Sequence, residues 1–184
     1  STGTNPLASC LPILAQAPIF FALFRVLNYG VGQNVPYGVM TQAETQSAHD
    51  STIFGVPLWA TFTQAGATPN PTATQILTVI LIILMTATTF TSQRQLIIKN
   101  SAPGNPMVQQ QKILLYVFPL IFAVTGINFP VGVLIYWLTT NLWSMGQQFY
   151  VIRNNPQPDT PAYAAWEARE SAKRAKKNGG VDPE

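Results

Sequence analysis

An all-α, polytopic membrane protein with four transmembrane helices is the fold class this sequence predicts, and three observations predict it. Apolar runs cover about 5–28, 73–95, 112–127 and 131–150. Charged residues make up only 9% of the 184, against about 25% in a soluble domain. Hydrocarbon explains that deficit, because a charge inside it is costly and rare. The uncharged polar residues within the runs gather in the halves nearer one membrane face. A bundle apolar at one end and polar at the other implies a polar groove open to one aqueous side.

The first run has Asn5 as an N-cap and Pro6 at the first helical position. It is apolar from Leu7 to Leu27 except for Ser9, Gln16 and Arg25, and Pro12 and Pro18 should kink it. Residues 29–74 form a connection rich in Gly, Pro, Thr and Gln. Within it FGVPLWATF, 54–62, is too short to span and reads as an interfacial anchor. The second run is apolar over Ile76–Met85 apart from Thr78, then rich in threonine: Thr86, Thr88, Thr89 and Thr91, followed by Ser92 and Gln93. The APGNP turn signal makes 95–111 a compact hairpin-like loop. The third run contains Pro119 and reaches only about 24 Å at 1.5 Å per residue, which implies local bilayer thinning. Asn128-Phe129-Pro130 is a tight break before the fourth run. Residues 1–153 therefore make the membrane core, and 154–184 a basic, partly helical cytoplasmic tail capped by Thr160 and Pro161, with Gly179-Gly180 as a stop.

Lys and Arg fix the orientation, because they concentrate in cytoplasmic loops. Arg94, Lys99 and Lys112 flank the turn between the second and third runs, and the tail is basic from Arg153. The connection 29–74 has Glu44 and Asp50 but no Lys or Arg. Both termini of this chain and the 95–111 loop are therefore expected in the cytoplasm and 29–74 outside, with Arg25 snorkelling to the outer headgroups. In this frame three helices carry polar stripes in their cytoplasmic halves. They are Ser9 and Gln16; Thr86, Thr89 and Gln93; and Asn141, Ser144 and Gln148, with Thr140 and Gln147 beside the last. Such residues also serve as ordinary interhelical glue, but three stripes at one depth favour a groove. Hydroxyls and amides there would replace part of the hydration that a polar segment loses on entering a bilayer.

Nothing in the chain points to catalysis. Cys10 is the lone cysteine, so no intrachain disulfide forms, and it reads as a small buried hydrophobe. His49 has no metal-type partner at useful spacing and reads as a surface residue. No nucleophile triad, zinc motif or phosphate loop is visible, so no catalytic residue, metal or cofactor is expected. Ala15-Gln16-Ala17 mimics a signal-peptide cleavage site, but no basic residue precedes Arg25, so the first run is expected to span.

Two stretches resemble the YidC/Oxa/Alb membrane insertase family. NPLASCLPILAQAPIFFA, 5–22, is similar to the family's second core helix. MVQQQKILLYVFPLIFAVTGINFPVGVLIYWLTTN, 107–141, is similar to the fourth and fifth and the sharp connection between them. The resemblance covers about 5–153 and implies a bacterial inner-membrane, multi-pass protein whose matched part is core helices two to five. In the family the groove's arginine lies on core helix one, outside the matched residues, and Arg25 is in the wrong place to substitute. Val131 stands where many members have serine, which makes the outer turn less polar. The resemblance further implies a substrate slide, with Ile13, Ala17 and Phe20 on the first helix and Tyr116, Leu120 and Ala123 on the third.

The function so implied is insertion and chaperoning of nascent membrane proteins, with the Sec translocon, the ribosome and the lipid bilayer as partners. In the tail Arg169, Lys173, Arg174, Lys176 and Lys177 are the candidates for binding ribosomal RNA or anionic lipid. A small channel or transporter using the same polar cavity is the alternative. Against it, the runs hold no Asp, Glu or His for a proton relay, and no inverted repeat is evident. A structural subunit of a larger assembly is a third reading.

Overall fold

A computed structural model describes residues 6–99 and 106–178 and shows a mainly helical chain. Asn5, the turn residues 102–105 and Gly179-Gly180 lie outside the described residues. Helix α1 runs Pro6–Arg25, α2 Gln42–His49, α3 Pro71–Arg94, α4 Pro106–Thr125, α5 Val131–Asn154 and α6 Pro161–Asn178. Strands β1, Thr52–Ile53, and β2, Val56–Pro57, pair antiparallel. Among the described residues, two helices are long and apolar enough to cross a membrane, over Leu14–Val31 and Pro71–Ile97.

Several boundaries differ from the sequence reading. The first helix continues beyond Arg25 as a wider π-turn, Val26–Val31, closed by Gly32 N–H donating to Leu27 O at 2.8 Å. It stays helical through Pro12 and Pro18. The 95–111 loop shrinks from both sides: Gln95–Lys99 prolongs α3 as a π-turn, and α4 already begins at Pro106. With 20 residues, α4 is about 30 Å long rather than 24. Its apolar stretch in the sequence begins at Ile113, directly after the polar run Gln109–Lys112. The case for thinning thus rests on where those polar residues end, not on helix length.

The residues fall into two compact units. One gathers the chain up to Ile83 together with Val124–Trp137. Its core is Leu27, Val31 and Val133, overlaid by Phe20, Phe24, Met40, Trp59 and Phe129. The 29–74 connection is structured here. Thr41 and Glu44 close a reciprocal capping box on α2. Phe54 (φ 52°) and Gly55 (φ 77°) turn β1 into β2, the left-handed backbone that favours glycine in a tight hairpin.

The 54–62 segment is not a simple interfacial anchor. Val56, Ala60 and Thr61 are buried, while the hairpin tip Phe54-Gly55 stands out, with Phe54 85% exposed. Nor is His49 a free surface residue. Its ring stacks on Trp59 at 5.2 Å, its Nδ1 donates to Val31 O at 2.7 Å, and its carbonyl accepts from Trp59 Nε1 at 3.2 Å.

This connection clamps the start of α5. A helix begins with N–H groups that lack partners. Val131 N–H donates to Ala60 O and Gly132 N–H to Leu58 O, each at 2.8 Å. A Cβ on Gly132 would sit 2.9 Å from Leu27 Cδ1 and 3.3 Å from Leu58 O, so an added methyl group would force both to give way. Val131 is fully buried, an apolar wedge under that clamp. Asn70 caps α3, its Oδ1 accepting from Ala73 N–H at 3.1 Å, with Pro71 at the first helical position.

The second unit comprises Leu84–Ala123 and the described residues from Leu138 onward. Met85 and Leu115 are its most buried side chains. Thr160 caps α6, accepting from Tyr163 N–H at 3.2 Å. Exposed apolar side chains line the outside of its helices, among them Leu84, Leu120, Ile121, Leu142 and Trp143.

Candidate functional site

The polar residues of α3 and α5 meet in the second unit. Asn141 Nδ2 donates to Thr89 Oγ1 at 2.7 Å and approaches Thr88 Oγ1 at 3.4 Å. Thr88 in turn donates to Leu84 O at 2.8 Å, returning its hydroxyl proton to its own helix as helical threonines do. Thr89 is 7% exposed, so the bond stands in protein rather than at the surface.

Around it are oxygens with no such partner. Among the described residues, Thr86 Oγ1, Ser92 Oγ, Gln95 Oε1 and Gln148 Oε1 are buried and accept or donate nothing. An unpaired buried polar group costs about 1–3 kcal/mol if it stays dry. Four such oxygens lie in this one unit. Thr86 and Gln148 are two of the residues the sequence put in the groove. Gln93 and Ser144 are half-buried on the same helices.

On α1, in the other unit, Gln16 Nε2 donates to the Tyr136 hydroxyl of α5. The side chains of Ser9, Cys10 and Ile13 lie outside the described residues. Sequence reasoning missed Tyr136, Thr88, Ser92 and Gln95. Tyr136 stands four residues before Thr140 and eight before Ser144, so helical spacing would have placed it on their stripe.

The slide candidates separate by exposure. Tyr116 and Leu120 on α4 are each 66% exposed, and Ala123 is half-buried. Ala17 is half-buried, while Phe20 packs edge-to-face on Trp137 at 4.9 Å and on Phe129 at 5.6 Å.

The basic positions separate too. Arg169 folds back, its guanidinium donating to Arg153 O at 2.7 Å near the end of α5. Lys173 pairs with Glu170 at 2.8 Å, and the hydrogen bond from Lys173 holds the Glu170 carboxyl below the usual carboxylate range. Arg174, Lys176 and Lys177 are exposed. Arg25 is exposed in the last turn of α1, 6.0 Å from the Tyr29 ring centre.

The chain matches the family described as "60Kd inner membrane protein" over residues 1–158. It is 54% identical over 174 residues to the "Membrane protein insertase YidC" of Streptomyces avermitilis, covering 90% of this chain and 40% of that protein. The protein of that name from Tropheryma whipplei strain Twist is 36% identical, over 96% of this chain and 60% of its own length. That of Mycobacterium tuberculosis H37Rv is 32% identical, over 81% and 47%. The chain thus spans about half the length of the curated relatives it matches. No solved structure matches it.

Proposed function

This chain belongs to the 60Kd inner membrane protein family, and from that membership we propose that it forms membrane core of an insertase. It receives nascent transmembrane segments in a cytoplasm-facing polar groove of the bacterial inner membrane and releases them sideways into lipid. The observation that carries the reading is the Asn141–Thr89 contact with four partnerless buried oxygens near it in sequence. Hydroxyls and amides that hold water at membrane depth lower the barrier for a polar segment to leave the cytoplasm. No bond is made or broken; the transfer is eased by solvation.

In this reading α1, α3, α4 and α5 span, both ends of the chain face the cytoplasm, and the α2–hairpin region faces out. The basic flanks Arg94, Lys99 and Arg153 support that direction. Thr86, Thr89, Gln93, Asn141, Ser144 and Gln148 wet the groove, and Ser9 and Gln16 are α1's candidates for the same role. Tyr116 and Leu120 receive the departing apolar helix, with Ala17 and Ala123 beside them on their own helices. Phe20, engaged with Trp137 and Phe129, acts through packing. Relatives bear the name insertase. A ribosome, met by Arg174, Lys176 and Lys177, and the Sec translocon are the partners that co-translational insertion calls for.

The test is insertion of a short single-span substrate into proteoliposomes carrying the protein. Asn141→Leu, paired with Thr89→Val so that neither polar group is stranded, should lower insertion several-fold while leaving the fold intact. Undiminished insertion by the double variant would show that the polar cluster is only interhelical glue.

A further inference from the structure

A cleft of about 480 Å³ opens in the second unit, beside the ends of α3 and α5. Lys99, Arg153 and Arg169 line it, with Gln95 and an apolar floor that includes Phe149 and Ile152. No acidic residue is among its lining residues. Arg169 is held in place by its bond to Arg153 O at 2.7 Å, and the Arg153 guanidinium lies 6.0 Å from the Phe149 ring centre. Three cations in one concavity attract an anion, and apolar side chains next to them attract hydrocarbon. Gln95 Oε1 is buried without a partner among the described residues, so the same wall offers an acceptor to a hydroxyl.

We propose that this cleft binds one anionic phospholipid with a hydroxylated headgroup, such as phosphatidylglycerol. Lys99, Arg153 and Arg169 take the phosphate, Gln95 takes a headgroup hydroxyl, and Phe149 and Ile152 meet the upper acyl chain. An RNA phosphate would meet the cations but leave the apolar floor uncovered, so lipid fits the cleft better. The bound lipid would join the ends of α3, α5 and α6 at the depth where the membrane reading puts the inner headgroups. The proposal rests on that reading for its biological setting, but the binding itself needs no orientation.

The purified protein in neutral detergent is titrated with phosphatidylglycerol, phosphatidylcholine or inorganic phosphate, and bound lipid is counted by native mass spectrometry. One phosphatidylglycerol should bind in preference to phosphatidylcholine. Lys99→Gln and Arg153→Gln should each weaken it about fivefold, whereas Arg25→Gln, the same loss of one charge at an exposed position outside the cleft, should leave it unaltered. Equal loss with that control would reduce the effect to net charge and overturn the site. Full displacement by millimolar inorganic phosphate would overturn the lipid assignment. Ribosome co-sedimentation that falls with Lys99→Gln while lipid binding persists would make the cleft an RNA site and also overturn it. Melting each variant without lipid shows whether Arg153→Gln has disturbed the fold; Lys99→Gln, whose residue is exposed, then decides alone. Loss of insertion activity with lipid binding intact would count against the insertase reading and leave this one standing.

Discussion

Two glycines of α5 respond in opposite ways to the same methyl group. At Gly132 a Cβ meets Leu27 and the Leu58 carbonyl, so Gly132→Ala should destabilise the first unit by about 1–3 kcal/mol, as overpacking does. At Gly146 nothing lies within 4 Å of a Cβ. Gly146→Ala should therefore raise helix stability by about 1 kcal/mol. Thermal melting in detergent reads both, and equal shifts would contradict the clamp. Asn141 and Thr89 should be coupled. A double-mutant cycle with Asn141→Leu and Thr89→Val should give an interaction energy of about 0.5–1.7 kcal/mol, the range for hydrogen bonds between membrane helices. A value near zero would mean that water already satisfies both groups and the 2.7 Å bond adds nothing.

Among the elements, α2 depends on its cap. The Thr41 backbone N–H, and second the Thr41 hydroxyl, hold the Glu44 carboxyl below its ordinary value. A depressed folded value means the contact is fully present above the ordinary Glu pKa, about 4.3, and is lost as pH falls through the lower, folded one. Amide exchange in α2, corrected for its intrinsic pH dependence, should show protection falling below pH 4. Glu44→Gln should flatten that dependence, and Thr41→Ala should cost about 1 kcal/mol at neutral pH. A pH-dependent loss that persists in Glu44→Gln would assign it to another group. The capping box was readable, since Thr41-Gln42-Ala43-Glu44 has the S/T-x-x-E spacing. The glycines and prolines on either side of it, which signal loop, mask it in the sequence.

For the whole molecule the consequence is topological. Phe54, at the exposed tip of the hairpin, marks the outer side better than half-buried His49. On a Cys10→Ala background, Phe54→Cys should react with an impermeant thiol reagent on intact cells, and Lys99→Cys should not. The reverse pattern would invert the orientation drawn from Lys and Arg. A permeant polar reagent should reach Asn141→Cys from the cytoplasm, while Ile83→Cys, though 60% exposed on the protein surface, should stay protected by lipid. Equal reactivity at the two would remove the distinction between a wet groove and a lipid face.

The sequence by itself determined the helical class, the places of α1, α3, α4, α5 and α6, and the two-sided character of the long helices. These follow from apolar run length and helical period, which act locally along the chain. It also placed Thr86, Thr89, Asn141 and Gln148 on polar faces, because a face needs only spacing. Tertiary structure decided what those faces touch. Only folding shows that Asn141 meets Thr89, that Gln16 meets the Tyr136 hydroxyl, or that Arg169 turns back to the end of α5. The contact between the 58–60 carbonyls and the start of α5 was equally illegible. Its partners lie some seventy residues apart in the chain, and backbone groups leave no mark in a residue pattern. Side-chain type records how a segment is solvated, and the pairing of distant groups is fixed only once the chain has packed.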